Sequence, residues 1–397
     1  MKILVADALH GSFEEAMEQE KLSITVRPDL SSDQLSEAIA DHNVLVVRST
    51  RVDADVLKAA TNRELVIRAG AGTNTIDVEA AGNHGVYVAN CPGKNAIAVA
   101  ELTWAMVLGL DRQLALADRR LRAGRWEKKR FSKARGLHGQ TFGIVGFGNI
   151  GRAVAHRAAA MGMKVVAWSR SLTPEVAKRA GVRCMNSLEE LAEEADVVSI
   201  HLPKAPATQG LLGEGFFDSL RDGTLVVNVS RGGVVDEAIV KRCLTVGKIK
   251  YATDVFTEEP ASGEDDFNNE LLEYDETLCT PHIGAATTQA QKAVADEVRH
   301  IICSYKETGL VPNVVNLRPP SMEHCQIQVR HRDRVGVLAK ILTKIREADI
   351  NIEDMTNAGF SLGHAACATI TLNQTPSHHV LHEVGAIPDV LGVSLRG

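Results

Sequence analysis

Short, mostly apolar runs, separated by amphipathic stretches, set the rhythm of the chain. Lys2–Ala6, Asn43–Val47, Leu65–Ala69 and Val86–Ala89 read as strands, with helical spacing around Phe13–Glu18 and over Ala54–Ala60. Strands apolar on both faces must be covered on both faces, so this alternation predicts a parallel α/β layer. A long helix follows over about Ala96–Leu121, and its segment IAVAELTWAMVLGL is apolar around much of its surface. Such a helix is buried in a core or between subunits. The basic, irregular stretch Leu121–Arg135 reads as a surface arm and favours the subunit interface.

The alternation restarts at Gln140. Strands are predicted at Thr141–Val145, Lys164–Trp168, Val197–His201, Thr224–Asn228, Tyr251–Val255 and Glu276–Thr280, with a helix over Ile150–Met161. A helix near Thr287–Thr308 should lead back to the first layer. Pro312 and the run Arg318-Pro319-Pro320 mark a linker, because proline cannot donate a backbone hydrogen bond. Residues 325–397 read as strand, helix, strand, strand, helix, strand.

Length and charge narrow the class. At 397 residues, with 45% hydrophobic and 24% charged positions, the chain is expected to form two or three packed domains. A net charge of -6 offers no general attraction for nucleic acid or an anionic membrane. The start, MKILVADALHGSFEEAM, lacks the features of a signal peptide, and no apolar run is long enough to span a bilayer, so a cytoplasmic protein is expected. The seven cysteines are scattered, with no Cys-x-x-Cys pair, which predicts neither a disulfide framework nor a metal site.

The sharpest local motif is Gly146-Phe147-Gly148-Asn149-Ile150-Gly151, between the strand TFGIV and the helix IGRAVAHRAAAMG. The first glycine permits a tight turn, the second a close backbone approach to a pyrophosphate, and the third close helix–sheet packing. The phosphates then meet free N–H groups at the helix start. An acid on the next strand would bind the adenosine ribose and repel a 2′-phosphate. Here that position is Ser169, followed by Arg170, so either NAD or NADP is an expected cofactor.

Three segments follow strand ends in the same region: Asn228-Val-Ser-Arg231-Gly-Gly, Asp254-Val-Phe-Thr-Glu-Glu259-Pro260 and Thr280-Pro281-His282-Ile-Gly-Ala285. Ligands of open α/β sheets bind beyond the carboxyl ends of the strands, so the three can converge on one cleft. Oxidising a 2-hydroxy acid needs a base, a cation for the carboxylate and a hydride acceptor. His282 suits the acid/base role, Glu259 can orient its ring, and Arg231 can hold a carboxylate or keto oxygen through two parallel hydrogen bonds.

The chain resembles the D-isomer-specific 2-hydroxyacid dehydrogenase family. The resemblance runs over essentially its whole length. It rests on Arg68-Ala-Gly-Ala-Gly72, Ala100-Glu101-Leu102-Thr103, GFGNIG, His201-Leu202-Pro203, NVSRGG, DVFTEEP and TPHIGA. It implies Arg231, Glu259 and His282 as catalytic residues and Asp254 as the carboxamide-binding residue. It also implies a substrate loop over Arg68–Gly72, including Ala71, and an adenine-side turn at His201–Pro203. Gly146, Gly148, Asn149, Ile150, Gly151 and Ala285 become cofactor contacts. Ser169 departs from the Asp of many NAD-dependent members. The implied fold class is α/β: two Rossmann-like doubly wound domains and a C-terminal βαββαβ domain. Residues 1–95 with 285–318 would form the substrate domain, 96–284 the dinucleotide domain and 322–397 the regulatory domain.

Formate-oxidising members typically lack the Glu of the Glu–His pair, so Glu259 argues against that branch. A phosphorylated substrate needs cations, for which Arg48, Arg51 and Arg68 are candidates, with Lys94 a further one. The leading expectation is NAD(P)-dependent oxidation of 3-phosphoglycerate to 3-phosphohydroxypyruvate, the first step towards L-serine. Reduction of hydroxypyruvate or glyoxylate is the alternative within the family. A nucleotide-sensing corepressor is the alternative from another class.

The tail resembles an ACT domain, carried by Val329-Arg-His331-Arg-Asp333-Arg-Val-Gly336-Val-Leu338 and Asp349-Ile-Asn351-Ile. In serine-inhibited members, effector contacts match His331, Asp333 and Asn351, which places the three around one strand–helix turn and the adjacent strand. An amino-acid effector is therefore expected, although Asp333 replaces a usual Asn and Val335 a usual Pro. A homodimer or homotetramer is expected, with no nucleic-acid or membrane partner.

Overall fold

The computed structural model describes residues 1–28, 30, 32–59, 64–260, 265–318 and 325–396. Ala60, Pro319, Pro320, residues 322–324 and Gly397 carry expectations from the sequence but lie outside the described residues. The chain divides into two compact units, Met1–Asn316 and Leu317–Gly397.

The first unit holds two parallel sheets. In the first lobe, β1 (Lys2–Val5), β2 (Ser23–Val26), β3 (Val44–Val47), β4 (Leu65–Arg68) and β5 (Tyr87–Asn90) lie in the order β2-β1-β3-β4-β5. In the second lobe the strands are β6 (Thr141–Val145), β7 (Lys164–Trp168), β8 (Arg183–Cys184), β9 (Val197–Ile200), β10 (Thr224–Asn228), β11 (Ile249–Thr253) and β12 (Thr277–Cys279). Their order is β12-β11-β10-β9-β6-β7-β8. Both orders reverse once, between β1 and β3 and between β6 and β9. Crevices open beyond the strand ends at such reversals. The central strands β3, β9 and β10 are buried at every residue, as strands covered on both faces must be, with Ser199, Thr224 and Asn228 the polar residues among them.

The returning helix is Thr288–Thr308. The Thr287 side chain caps its start, and Gly309 ends it in the left-handed conformation, φ 72°. Its Ala295, Val298, Ile301 and Ile302 complete the core of the first sheet with Ile3, Val5, Phe13 and Met17. The chain therefore leaves the first lobe after β5 and comes back to it near residue 288.

Several local expectations are corrected. The helix predicted over Ala96–Leu121 is two helices, Ala96–Arg112 and Leu114–Arg122, broken at Gln113, which is left-handed at φ 51°. Glutamine has no special preference for that conformation, so no local signal marked the break. Most of the apolar surface of Ala96–Arg112 lies inside the second lobe. Val99, Trp104, Met106, Val107 and Leu110 join its core, while Ile97 and Leu108 remain exposed. The arm after Leu121 is exposed and includes one helical turn, Lys128–Phe131. The predicted Tyr251–Val255 strand runs over Ile249–Thr253. The edge strand β2 went unrecognised because SITV is only half buried and carries no continuous apolar run.

The second unit is one antiparallel sheet covered by two helices, Val337–Glu347 and His378–Gly385. Its strands are β13 (Cys325–Arg332), β14 (Ile352–Gly359), β15 (Ala365–Leu372) and β16 (Val390–Arg396), in the order β14-β15-β13-β16. The strand order separates the expected effector residues. β15 lies between β13 and β14. His331 is level with Ala366 and Gly359, whereas Ile352, next to Asn351, is level with Leu372 and Cys325. Six to seven residues at ~3.3 Å each put Asn351 roughly 20 Å along the sheet from His331 and Asp333. His331 is buried, and both ring nitrogens are engaged, by the Arg332 carbonyl at 2.8 Å and the Asn357 amide at 3.1 Å. Asp333 is exposed. Within one chain the three do not meet.

Among the described residues, no helix is long and apolar enough to cross a membrane.

Candidate active site

The loops after β10, β11 and β12 carry Arg231, Glu259 and His282 to one cleft of about 380 Å³, shared with Arg68 and Gly72 from the first lobe. The His282 Nδ1 donates to Glu259 Oε2 at 2.7 Å, and Glu259 Oε1 accepts from the Phe256 N–H at 3.0 Å. Burial works to raise the Glu259 pKa. The hydrogen bonds from His282 and Phe256, with the positive charges of His282 and Arg231, outweigh it, and the net shift is downward. The imidazole is thereby held by one nitrogen, leaving Nε2 for chemistry.

Asp254 shapes this loop. The carboxylate is buried and accepts three hydrogen bonds, from Thr280 Oγ1 at 2.5 Å, Ile283 N at 2.8 Å and Gly284 N at 2.7 Å. These clamp the residues on either side of His282, whose backbone is left-handed at φ 52°. A non-glycine residue persists there only where its surroundings over-determine it. Asp254, expected to bind the cofactor, also anchors the histidine turn.

A second cavity, of about 250 Å³, opens at the reversal between β1 and β3 and is lined by His10, Arg48, Ser49, Arg68, His282 and Ala285, among others. Asp7 shapes its rim by accepting from the N–H groups of Arg48 at 2.7 Å and Thr50 at 3.1 Å. Arg68 lies between the two cavities. Burial lowers its pKa most, and repulsion from Arg231 and Arg48 lowers it further. Burial also lowers that of Arg231, opposed by Glu259. Converging arginines with this mutual repulsion are complementary to an anion carrying more than one charge. The loop glycines make room for them. A methyl at Gly70 would overlap the Arg68 guanidinium, and one at Gly72 would sit 2.9 Å from Arg231 Nη2. Ala71 O accepts from Asn90 Nδ2 at 2.6 Å. Arg51 is exposed and lines neither cavity, and Lys94 is paired with Glu297 at 2.8 Å.

The glycine motif and the β9 turn form a third pocket, lined by Gly146, Gly148, Ser169, Arg170, His201 and Pro203, among others. Asn149, Ile150 and Gly151 begin the following helix. A methyl at Gly151 would lie 2.2 Å from the Gly146 carbonyl oxygen, which is the close approach the third glycine serves. Burial pushes His201 down to about 3. Its Nε2 shares a 2.6 Å hydrogen bond with Ser199 Oγ, while its Nδ1 is buried with no partner in the protein. Arg170 is exposed, and its guanidinium makes no hydrogen bond or ion pair among the described residues. A glycine cradle, a neutral histidine with an orphaned nitrogen and an unpaired arginine suit the pyrophosphate and adenosine of a dinucleotide.

Comparison with known proteins agrees with this arrangement. Residues 104–284 match the NAD-binding domain of the D-isomer specific 2-hydroxyacid dehydrogenases. A D-3-phosphoglycerate dehydrogenase of Archaeoglobus fulgidus is 37% identical over 325 residues, covering 81% of this chain and 60% of the relative. That of Methanocaldococcus jannaschii is 36% identical over 361 residues, covering 90% of this chain and 68% of the relative. The chain thus spans about two thirds or less of the length of these relatives. The crystal structure of NAD+-bound 3-phosphoglycerate dehydrogenase from Entamoeba histolytica superposes with a TM-score of 0.67 at 27% identity, covering 80% of this chain and 98% of that one. The chain belongs to the D-isomer specific 2-hydroxyacid dehydrogenase family and carries its NAD-binding domain.

The Glu259 shift has a measurable consequence. A carboxylate whose folded pKa is depressed stabilises the fold above its unfolded pKa of about 4.3 and loses that contribution as pH falls through the lower folded value. The stability difference between wild type and Glu259→Gln should therefore be constant from neutral pH to near that value and shrink only below it. Thermal unfolding of both proteins across this range checks it. A difference that already fades well above the carboxylate range would mean that the Glu259 carboxylate does not carry it.

Proposed function

We propose that this protein oxidises 3-phosphoglycerate to 3-phosphohydroxypyruvate, with reduction of 2-keto acids as the reverse reaction. The observation that carries this reading is the His282–Glu259 pair facing Arg231, Arg68 and Arg48 across two adjoining cavities. His282 Nε2 takes the proton of the substrate hydroxyl, and Glu259 stabilises the imidazolium that results. Arg231 and the loop at Gly72 hold the carboxylate end, while Arg48 and Arg68 supply positive charge for the phosphate. Bound NAD(P) supplies the hydride acceptor, held by Gly146–Gly151, Ser169 and the His201–Pro203 turn. The names of the two archaeal relatives support this substrate. Steady-state assays with 3-phosphoglycerate, hydroxypyruvate and glyoxylate, each with both cofactors, test it. The highest kcat/KM is expected for the phosphorylated pair, and a preference for glyoxylate would replace this function with that of a reductase.

Cofactor choice is a second expectation. With no carboxylate at position 169 and Arg170 unpaired beside it, NADPH should support turnover as well as NADH. Ser169→Asp should lower kcat/KM for NADPH more than for NADH, since it places a negative charge against a 2′-phosphate. An enzyme with no NADPH activity at any concentration would leave Arg170 a solvated surface residue.

For the C-terminal unit, an amino-acid effector would find the exposed Asp333 and Asn351 side chains roughly 20 Å apart within one chain, with His331 already engaged.

A further inference from the structure

The two cavities around His282 are chemically different. One holds Arg48, Ser49 and His10 at the β1/β3 reversal. The other holds Arg231, Gly72, Asn74, Thr75 and Lys204. His282 and Arg68 line both. A substrate whose reacting carbon lies at His282 therefore extends one end into each. Lys204 comes from the turn after β9, in the second lobe, and Thr75 from the loop after β4, in the first. Lys204 is exposed and its ammonium makes no ion pair or hydrogen bond among the described residues. Thr75 Oγ1 and Arg68 Nε are buried with no hydrogen-bond partner. An orphaned buried polar atom costs free energy unless something satisfies it. Here the two residues that carry such groups line the same cavity as an unpaired cation and Arg231.

We infer that Lys204 and Thr75 bind the substrate carboxylate together with Arg231, so that the other end of the substrate, a phosphate where it carries one, extends into the Arg48 cavity. The inference rests on the proposed function for its 2-keto or 2-hydroxy acid substrate, but not on the phosphate. Arg231 and His282 share the Lys204 cavity, and the carboxylate is bonded directly to the reacting carbon. The phosphate is further away, and the Arg48 cavity gives it a separate cationic wall. Because Lys204 and Thr75 belong to different lobes, one carboxylate held by both also draws the lobes together over the reacting atoms.

The test is reduction of 3-phosphohydroxypyruvate, hydroxypyruvate and glyoxylate with NADH by the full chain and its variants. Lys204→Met should raise KM about tenfold for all three, with kcat little changed, since one charge-assisted contact is lost. Lys204→Arg should restore most of the affinity. Thr75→Val, which keeps the shape and removes the hydroxyl, should raise all three KM values by a smaller factor. Arg48→Met should raise KM for the phosphorylated substrate alone. Unchanged KM in both Lys204→Met and Thr75→Val overturns the inference. So does a rise confined to 3-phosphohydroxypyruvate, which would reverse the two ends of the substrate. A wild type inactive on 3-phosphohydroxypyruvate but active on the other two would overturn the proposed substrate, while a parallel rise for those two would still support the carboxylate site. A wild type that reduces none of the three removes both.

Discussion

His282→Ala is expected to lower kcat by about 10²–10⁴-fold, the range for loss of a general acid–base group, while leaving NADH affinity unchanged. The geometry makes this a clean substitution. The imidazole is half exposed, so its removal leaves no buried cavity. The left-handed backbone at φ 52° is held from outside by Asp254 through Ile283 and Gly284, and alanine inherits those same hydrogen bonds. The nucleotide pocket is built from the turns after β6, β7 and β9 and does not include His282. Steady-state kinetics and a fluorescence titration with NADH separate the two effects. Turnover near that of wild type would remove His282 from the chemistry, and a matching loss of NADH binding would make its role structural.

Gly146→Ala is expected to damage both fold and nucleotide binding. Gly146 has φ 96°, where an L side chain is strained, and a methyl there would lie 2.4 Å from the His201 carbonyl oxygen and 3.1 Å from Leu202 Cδ2. The carbonyl is backbone at the end of β9 and cannot rotate away as a flexible side chain could. Strain at such a position costs about 1–3 kcal/mol, and overpacking typically adds another 1–3 kcal/mol. Urea unfolding should show a loss of roughly 2–4 kcal/mol, in the range of severe single substitutions. The same displacement pushes β6 away from the His201–Pro203 turn, so NADH should bind at least tenfold more weakly, about 1.4 kcal/mol. An unfolding midpoint matching wild type would mean that the close approach of the two turns is not required.

How much of this was legible in the sequence depends on the range of the interaction. The strand-turn-helix at Thr141–Gly151 is local, and its strand bounds agree with the sequence reading. The convergence of the three segments that carry Arg231, Glu259 and His282 was legible because each follows a strand, and strand ends in a parallel sheet share an edge. Contacts set by distant pairings were not. Lys94 looked free for a phosphate, yet the partner Glu297 lies two hundred residues on, on the returning helix. Asn351 looked near His331 because an intervening strand cannot be seen in a linear pattern. Thr75 and Lys204 carry no motif at all, and only the approach of the two lobes puts them in one cavity. Asp254 was legible as important, but its three partners in the 280–284 turn were not.

The route of the chain through the first lobe bears on how the protein is made. The inner face of the first sheet is closed by Ala295, Val298, Ile301 and Ile302. A ribosome delivers those residues about two hundred positions after β5, once the whole second lobe has emerged. At roughly 5–20 residues per second, Ile3, Val5, Phe13 and Met17 wait uncovered for at least ~10 s, while the second lobe can complete its own core. The nascent first sheet therefore presents an apolar face that a chaperone would have to shield, and the first lobe should complete its core only after the second.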